Sequence, residues 1–152
     1  MTNQSLSSEV ERAFCRADIE KLQRVITEHF EWHVAFDAGR DIEDLPFDPI
    51  ITDPSDPERN LALVAVAMAA YGDRSYLGLV SAGILEDIFF MENHVPDDLL
   101  ERIEAEALRN PRFRWMLSGM YTGSFRPECR ELVQRLTDGV SLDDPLPPLE
   151  GT

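Results

Sequence analysis

One apolar stretch of the chain covers residues 61–71 and contains no charged or strongly polar side chain. Asp56 precedes it and can cap a helix, because its carboxylate can accept a free N–H of the first turn. Pro57 and Glu58 suit the first helical positions, since proline lacks an N–H and glutamate is favoured at the positive end of the helix dipole. The pattern predicts a buried central helix that ends at Gly72.

Amphipathic patterns on either side predict further helices around this central one. Apolar residues at spacings of three and four form one stripe between residues 9 and 38, with a break near residues 16–18, and Gly39 is expected to end that helix. Later patterns predict helices over residues 75–82, 84–92, 96–108, 111–117 and 127–137, with Leu108 among the core positions. No segment alternates over strand length, so we expect an all-α domain of about six to eight helices. A short helical-repeat-like stack is one such arrangement, although no sequence period indicates it.

Two segments lack helical periodicity. Residues 40–55 contain three prolines and five acidic residues, which predicts an irregular acidic loop, since proline removes a donor and biases its predecessor away from helix. Residues 141–152 are rich in proline and lack a period, which predicts an extended or disordered tail. We therefore expect a single helical domain over residues 1–140, followed by that tail.

The chain is strongly acidic, with 29 Asp and Glu against 14 Lys and Arg and a formal net charge of −15. Such a charge repels nucleic-acid phosphates and anionic membranes, and it attracts basic partners. It is also common on soluble proteins that bind nothing through it, and that alternative stays open. If the charge is functional, we expect a basic protein to contact the acidic loop at Asp41, Glu43, Asp44, Asp48 and Asp53.

The cysteines and the length of the apolar run indicate a cytoplasmic protein. Cys15 and Cys129 belong to no Cys-x-x-Cys or Cys/His cluster, so we expect free thiols, each a small buried residue of an amphipathic helix. The first residues lack the basic start and apolar run of a signal peptide. The run at residues 61–71 has about half the length that a membrane span requires. We expect no cofactor and no membrane association.

Three short motifs follow one another along the chain. Asp-Pro-Glu-Arg spans residues 56–59, Ala-Gly-Ile-Leu-Glu-Asp spans residues 82–87, and Ala-Glu-Ala-x-x-x-Pro-x-Phe spans residues 105–113. With these motifs in this order, the chain resembles a family of small uncharacterised bacterial helical domains over residues 56–120. Ile84 stands where many relatives are expected to carry proline. The resemblance implies an α-helical bacterial domain of unknown function, and it carries over no catalytic residue.

The motif residues are interpreted as structural; they are Asp56, Gly83, Glu86, Asp87, Arg112 and Phe113. If Gly83 caps a helix, Glu86 falls at the third helical position, and its carboxylate can reach back to the cap. Adjacent helical side chains point about 100° apart, so Glu86 and Asp87 do not converge on one metal ion unaided. We favour a capping or ion-pair role, with Arg112 or Arg114 as the partner, over acid–base or metal chemistry.

Two histidines lie four residues apart on a predicted helix. His29 and His33 would share a face, and this spacing can hold a metal ion with Glu28 or Asp37 as a further ligand. The order of residues between them is wrong for a zincin helix, because Phe30 rather than glutamate follows the first histidine. We favour half-exposed histidines beside an aromatic stripe, and neither a nucleophile elbow nor a phosphate loop accompanies them.

The lack of a catalytic signature favours a non-enzymatic function. We expect an acidic protein-binding module for a basic partner, of the adaptor or immunity/inhibitor type, and no nucleic-acid partner. One alternative is a small metal-dependent enzyme that uses His29, His33 and nearby carboxylates. The other is a structural or oligomerisation domain that self-associates through exposed aromatic residues such as Trp32 and Phe36.

Overall fold

The computed structural model of the protein describes residues 6–39, 52–53, 55–90 and 95–149. The helices within these ranges are, in chain order, α1 (Leu6–Ala13), α2 (Arg16–Asp37), α3 (Pro57–Ala70), α4 (Arg74–Val80), a π-helical segment (Ser81–Leu85), α5 (Glu86–Ile88), α6 (Asp97–Arg109), α7 (Pro111–Leu117) and α8 (Pro127–Leu136). An isolated bridge pairs Phe90 with Phe125, and the described ranges contain no strand. The prediction of an all-α domain is confirmed.

The helix α3 is buried almost all round. Its N-cap Asp56 accepts a hydrogen bond from Arg59 N at 3.0 Å, and Pro57 is its first residue. α1, α2, α4, the π-helical segment and α5 all contact it, and each fully buried Leu or Val contributes about 1.5–3 kcal/mol. The predicted central helix is confirmed, and no helix in the described ranges is long and apolar enough to cross a membrane. The buried residues of α3 are Asn60, Leu61, Ala62, Leu63, Val64, Ala65, Ala67 and Met68.

The first amphipathic stripe forms two helices, α1 and α2, that separate at Phe14 and Cys15. Cys15 is the N-cap of α2; it is exposed, and its Sγ donates to Asp18 Oδ2 at 3.0 Å. The expectation of a buried Cys15 is wrong, because this residue stands at the helix junction and not on the apolar stripe. Cys129 is buried as expected. Gly39 follows α2 with a φ of 84°, a backbone conformation that suits glycine.

Gly83 does not break the chain of helices, contrary to the sequence prediction. α4, the π-helical segment and α5 form one continuous helical run, and Gly83 lies inside it at a φ that is not positive. Ile84 and Leu85 beside it are buried, and this burial outweighs the weak helix propensity of glycine. Gly83 is therefore not an N-cap, and the expected new helix at Ile84 does not exist.

Two further details of the predicted helices are wrong. The run that begins with α4 starts at Arg74 rather than at residue 75, and Asp73 caps it, since its carboxylate accepts a hydrogen bond from Tyr76 N at 2.9 Å. Leu108 is 67% exposed, whereas Ala107 next to it is buried. Neighbouring helical residues point about 100° apart, so the apolar face of α6 includes Ala107 and leaves Leu108 on the outside.

Arg102 on α6 joins three helices through ion pairs. Its Nε lies 2.6 Å from Glu9 Oε2 on α1, and its Nη1 lies 2.6 Å from Glu58 Oε1 on α3. Burial works against the charge of Arg102, but the hydrogen bonds to Glu58 and Glu9 outweigh it and raise the pKa of the guanidinium. The buried carboxylate of Glu106 on the same helix accepts a hydrogen bond from Leu6 N at 2.9 Å. These contacts attach the beginning of α1 to α3 and α6.

Residues 141–149 follow α8 without a helix or a strand. Leu142, Leu146 and Leu149 nevertheless pack against the hydrophobic core. The described part of the predicted tail is therefore in contact with the helices, and the domain boundary at residue 140 stays a prediction.

A matched pair of glycine substitutions tests this description of the π-helical segment. A Cβ at Gly83 would have no neighbour within 4 Å, whereas a Cβ at Gly119 would lie 2.5 Å from Ser81 Oγ and 2.7 Å from Leu142 Cδ1. We expect Gly83→Ala to raise the free energy of unfolding by about 0.5–1 kcal/mol, because alanine has the better helix propensity. We expect Gly119→Ala to lower it by about 1–3 kcal/mol, because the added methyl group overpacks the core. Urea unfolding measures both, and a destabilised Gly83→Ala variant would contradict the continuous helix.

Candidate functional site

The two histidines of α2 lie in a buried polar cluster against the start of α4. His29 is 5% exposed and His33 is 8% exposed, so the expectation of half-exposed histidines is wrong. His29 Nδ1 lies 3.0 Å from the hydroxyl of Tyr76, which is fully buried. His33 Nε2 lies 3.2 Å from Ser75 Oγ and 3.2 Å from Asp37 Oδ2. The spacing of four does place both rings on one face, as predicted, and that face packs on α4.

Ser75, His33 and Asp37 have the residue types of a catalytic triad but not its geometry. In a triad, one imidazole nitrogen contacts the nucleophile, and the other contacts the carboxylate that orients the ring. Here Ser75 Oγ and Asp37 Oδ2 both approach the same nitrogen, Nε2 of His33. The carboxylate therefore competes with the serine for one nitrogen. This arrangement fixes the ring and does not activate the hydroxyl.

A metal site at His29 and His33 gains no support from the contacts. In the described ranges, no three side chains of the types His, Cys, Asp and Glu come together as a group that could hold an ion. Glu28, which was considered as a ligand, lines an open depression on the outer face of α2. Asp37 contacts His33 only at Nε2, the nitrogen that Ser75 also approaches.

The surroundings of the histidines are aromatic. Phe30 and Tyr71 stack with ring centroids 4.1 Å apart, and both meet Tyr76 edge-on. Burial in this cluster lowers the pKa of His29 to about 4, with a smaller contribution from the charge of His33. Burial likewise raises the pKa of Tyr76. His29 is therefore neutral at neutral pH and serves as a hydrogen-bonded core residue.

The motif residues Glu86 and Asp87 contact different partners. Glu86 Oε1 accepts a hydrogen bond from Tyr121 N at 2.6 Å, and Asp87 Oδ2 accepts one from Thr52 Oγ1 at 2.7 Å. The Glu86 carboxylate therefore does not cap Gly83. The two carboxylates fasten two separate connecting segments to the helical run, and they do not converge as a catalytic pair.

Neither of the arginines expected to pair with Glu86 forms an ion pair with it among the described residues. Arg112 Nε donates to Pro147 O at 2.9 Å, and its Nη1 lies 3.5 Å from Met68 O. Arg114 Nε is buried without a hydrogen-bond partner in the part of the chain that the structure describes. Phe113 between them is fully buried, as the structural interpretation predicts.

The acidic loop is described only at its end. Asp41, Glu43, Asp44 and Asp48 lie outside the described residues. Asp53 is exposed, and hydrogen bonds from the side chain and backbone of Ser55 hold the pKa of its carboxyl below the usual range. Its backbone pairs with the buried amide of Asn60, with Asp53 N 3.1 Å from Asn60 Oδ1 and Asn60 Nδ2 2.9 Å from Asp53 O. Sequence reasoning missed this anchor, although Asn60 is the polar residue next to the apolar run.

A groove of about 230 Å³ opens between α1, α2 and α3. We call it the acidic groove. Its apolar floor includes small side chains from the second half of α3, and its rim is polar. The lining residues are Ser7, Val10, Glu11, Ile19, Gln23, Ala65, Val66, Ala69 and Ala70. The sequence could not place it, because the groove depends on how three helices are arranged.

The outer face of α2 continues this groove as a strip of polar side chains. Gln23 lines both the groove and an open depression of about 490 Å³ along α2. The residues of that depression recur at spacings of three and four; they are Glu20, Gln23, Arg24, Thr27, Glu28 and Glu31. Glu20 pairs with Arg16 at 3.1 Å, and both side chains are exposed. The strip carries more carboxylates than guanidiniums.

The aromatic residues expected to self-associate lie near the end of α2. Trp32 and Phe36 stack with ring centroids 5.2 Å apart, and Phe36 is 47% exposed. Trp32 Nε1 is buried without a hydrogen-bond partner among the described residues. A self-interface here stays a prediction.

By its fold the protein is an all-α domain. A family model with the description "Family of unknown function (DUF6869)" matches residues 48–140, and the chain belongs to this family. The match contains α3 to α8 and confirms the resemblance to a domain of unknown function, while α1, α2 and residues 141–149 lie outside it. No curated protein and no solved structure matches the chain.

The burial of His29 predicts a specific loss of stability in acid. Unfolding releases the imidazole from a site where its pKa is about 4 to one where it is 6.5, so between these values the unfolded chain binds the extra proton. As the pH falls through this range, the free energy of unfolding should therefore decrease by about 1.4 kcal/mol per pH unit relative to a variant without this imidazole. The stability that buried, neutral His29 contributes is complete above pH 6.5 and is lost near pH 4.

The measurement compares urea unfolding of wild type and of His29→Asn between pH 7 and pH 4.5. Asparagine is chosen because its amide can still contact Tyr76. We expect the difference between the two unfolding free energies to shrink as the pH falls. His33→Asn is the control that keeps His29 and should retain most of the pH dependence. Parallel pH profiles of wild type and His29→Asn would contradict the buried neutral histidine.

Proposed function

We propose that the protein is a non-enzymatic binding module for a basic protein, of the adaptor or immunity/inhibitor type. The observation that carries this proposal is the acidic groove, which has an apolar floor with Glu11 on its rim and continues into the strip that carries Glu28 and Glu31, on a chain of net charge −15. Apolar contact area supplies most of the affinity of a protein interface, and charges around it supply orientation and the rate of association.

The floor of the groove suits a helical ligand. Ala69 and Ala70 are exposed, and Ala65 and Val66 complete the floor. Small side chains allow a second helix to approach closely, and a helix that docks in this way presents apolar residues three and four positions apart. A ligand with leucine or alanine on one face therefore fits the floor.

The rim determines the charge of that ligand. Glu11 stands on the α1 side of the groove, and Glu28 and Glu31 extend from it along α2. Lysine or arginine on the outer faces of a docked helix would meet these carboxylates, whereas an acidic helix would be repelled. The acidic loop residues belong to the same proposal as a second part of the contact surface; they are Asp41, Glu43, Asp44, Asp48 and Asp53.

The metal-dependent enzyme remains the weaker hypothesis. His29 is a buried partner of Tyr76, and His33 is held by Ser75 and Asp37. Neither ring lines the acidic groove. These contacts account for both histidines without a substrate.

A designed amphipathic peptide tests the proposal, with lysine on one helical face and leucine and alanine on the other. We expect saturable binding in calorimetric titration at about 50 mM salt and weaker binding at about 300 mM, because salt screens the carboxylates. The double variant Glu28→Lys/Glu31→Lys should weaken binding about tenfold, from about 0.7 kcal/mol per reversed contact.

Matched controls separate a local contact from the net charge. Glu101→Lys/Glu131→Lys changes the charge by the same amount at exposed positions on α6 and α8, and it should reduce affinity about twofold at most. A peptide with glutamate in place of lysine should not bind. Equal effects of the two double variants, or no binding of the basic peptide at low salt, would argue against the proposal.

A further inference from the structure

The segment 141–149, with the sequence Ser-Leu-Asp-Asp-Pro-Leu-Pro-Pro-Leu, contacts the helices as a peptide ligand would; we call it the proline-rich segment. Pro145 and Pro148 are exposed, whereas Leu146 and Leu149 pack against the core. Residues 141–144 form a turn, in which Asp144 N donates to Ser141 O at 3.0 Å, and residues 145–149 continue from it without a helix or a strand.

Side chains of the helices hold this segment by its backbone. Arg74 Nη2 on α4 donates to the carbonyl of residue 142 at 2.5 Å. Trp115 Nε1 on α7 donates to the carbonyl of residue 144 at 3.2 Å, and Arg112 Nε donates to the carbonyl of residue 147 at 2.9 Å. Donors that bind carbonyl oxygens hold a segment whatever its side chains are, and the apolar contacts of its side chains then select the sequence.

One such pocket receives Leu142. Its Cδ1 would lie 2.7 Å from a Cβ at position 119, so the pocket exists because that residue is Gly119. Ser81 borders the same place: its Oγ would lie 2.5 Å from that Cβ, and this hydroxyl donates to the carbonyl of Met116. The absence of a side chain on Gly119 therefore makes room for an apolar anchor.

The charges of groove and segment are complementary. Arg74 and Arg112 supply two of the three donors, although the chain has only 14 basic residues against 29 acidic ones. The segment carries Asp143 and Asp144. All groove residues named here lie within the family match at residues 48–140, and the segment lies beyond it.

We propose that this groove, formed by α4, the π-helical segment and α7, is a docking site for an acidic, leucine- and proline-rich segment of another protein. The proline-rich segment of the chain itself occupies the groove and competes with that ligand. The site shares no residue with the acidic groove, and the proposal holds whether or not a basic protein binds there.

The test uses the full chain and a fluorescent peptide of residues 141–149. In the variant Leu142→Ser/Leu146→Ser/Leu149→Ser, which we call the released variant, the chain's own segment loses its apolar anchors and leaves the groove. Fluorescence anisotropy should therefore show saturable binding of the peptide to this variant. Wild type should bind at least about tenfold more weakly, because its own segment is present at a high effective concentration. A peptide with the same residues in scrambled order should not bind.

Single substitutions in the released variant locate the binding. Arg74→Gln removes the donor to the carbonyl of residue 142 and should weaken binding about fivefold. This factor corresponds to the loss of one exposed hydrogen bond of about 1 kcal/mol. Arg12→Gln on α1 changes the charge equally at an exposed position and should leave the affinity unchanged. Absence of saturable binding by the folded released variant, or equal affinity of wild type and released variant, would overturn the proposal.

A second measurement avoids any loss of folding in the released variant. Wild-type protein is mixed with excess peptide that carries a nitroxide label, and the indole N–H signal of Trp115 is followed by NMR. Paramagnetic broadening of that signal supports docking in trans, and an unchanged signal at saturating peptide contradicts it. A wild-type dimer that the triple substitution converts to monomer would identify a second copy as the source of the ligand and would support the site.

Discussion

The arrangement of helices depends on the burial of α3. Nearly every residue from 60 to 68 is apolar and buried, so most of this helix is shielded from water. Other helices must therefore cover it on several sides, and α1, α2, α4, the π-helical segment and α5 do so. The cover is incomplete at Ala69 and Ala70, where the floor of the acidic groove is exposed. The constraint that determines the fold thus also leaves the surface where we propose that a partner binds.

The polar side chains of the described residues have two structural roles. Some attach elements to each other, as Arg102 does for α1 and α3, Glu86 for the segment at Tyr121, and Asn60 for the end of the acidic loop. Most carboxylates remain on the surface and give the chain its acidity. The arginines at the proline-rich segment form a local exception to that acidity, and for this reason we propose an acidic ligand there and a basic ligand at α2.

The periodicity of apolar residues predicted the helical class, the central helix and its Asp56 cap, because these features depend on local spacing and local hydrogen bonds. It failed at Gly83, where tertiary burial overrides propensity, and at Cys15, which lies at a helix junction that shifted by about two residues. Histidine spacing predicted the shared face of His29 and His33 but not their burial, since that requires knowledge of α4. Both grooves depend on contacts between distant segments, which no local pattern encodes.

Native-state hydrogen exchange of the α3 amides tests the central claim most directly. If the burial of α3 organises the fold, the amides of residues 61–68 exchange only when the whole domain unfolds, so their exchange free energies equal the global free energy of unfolding. The amides of α1 and of residues 141–149 should exchange at lower free energies, through local opening. Exchange of α3 before α6 and α7 would contradict the account.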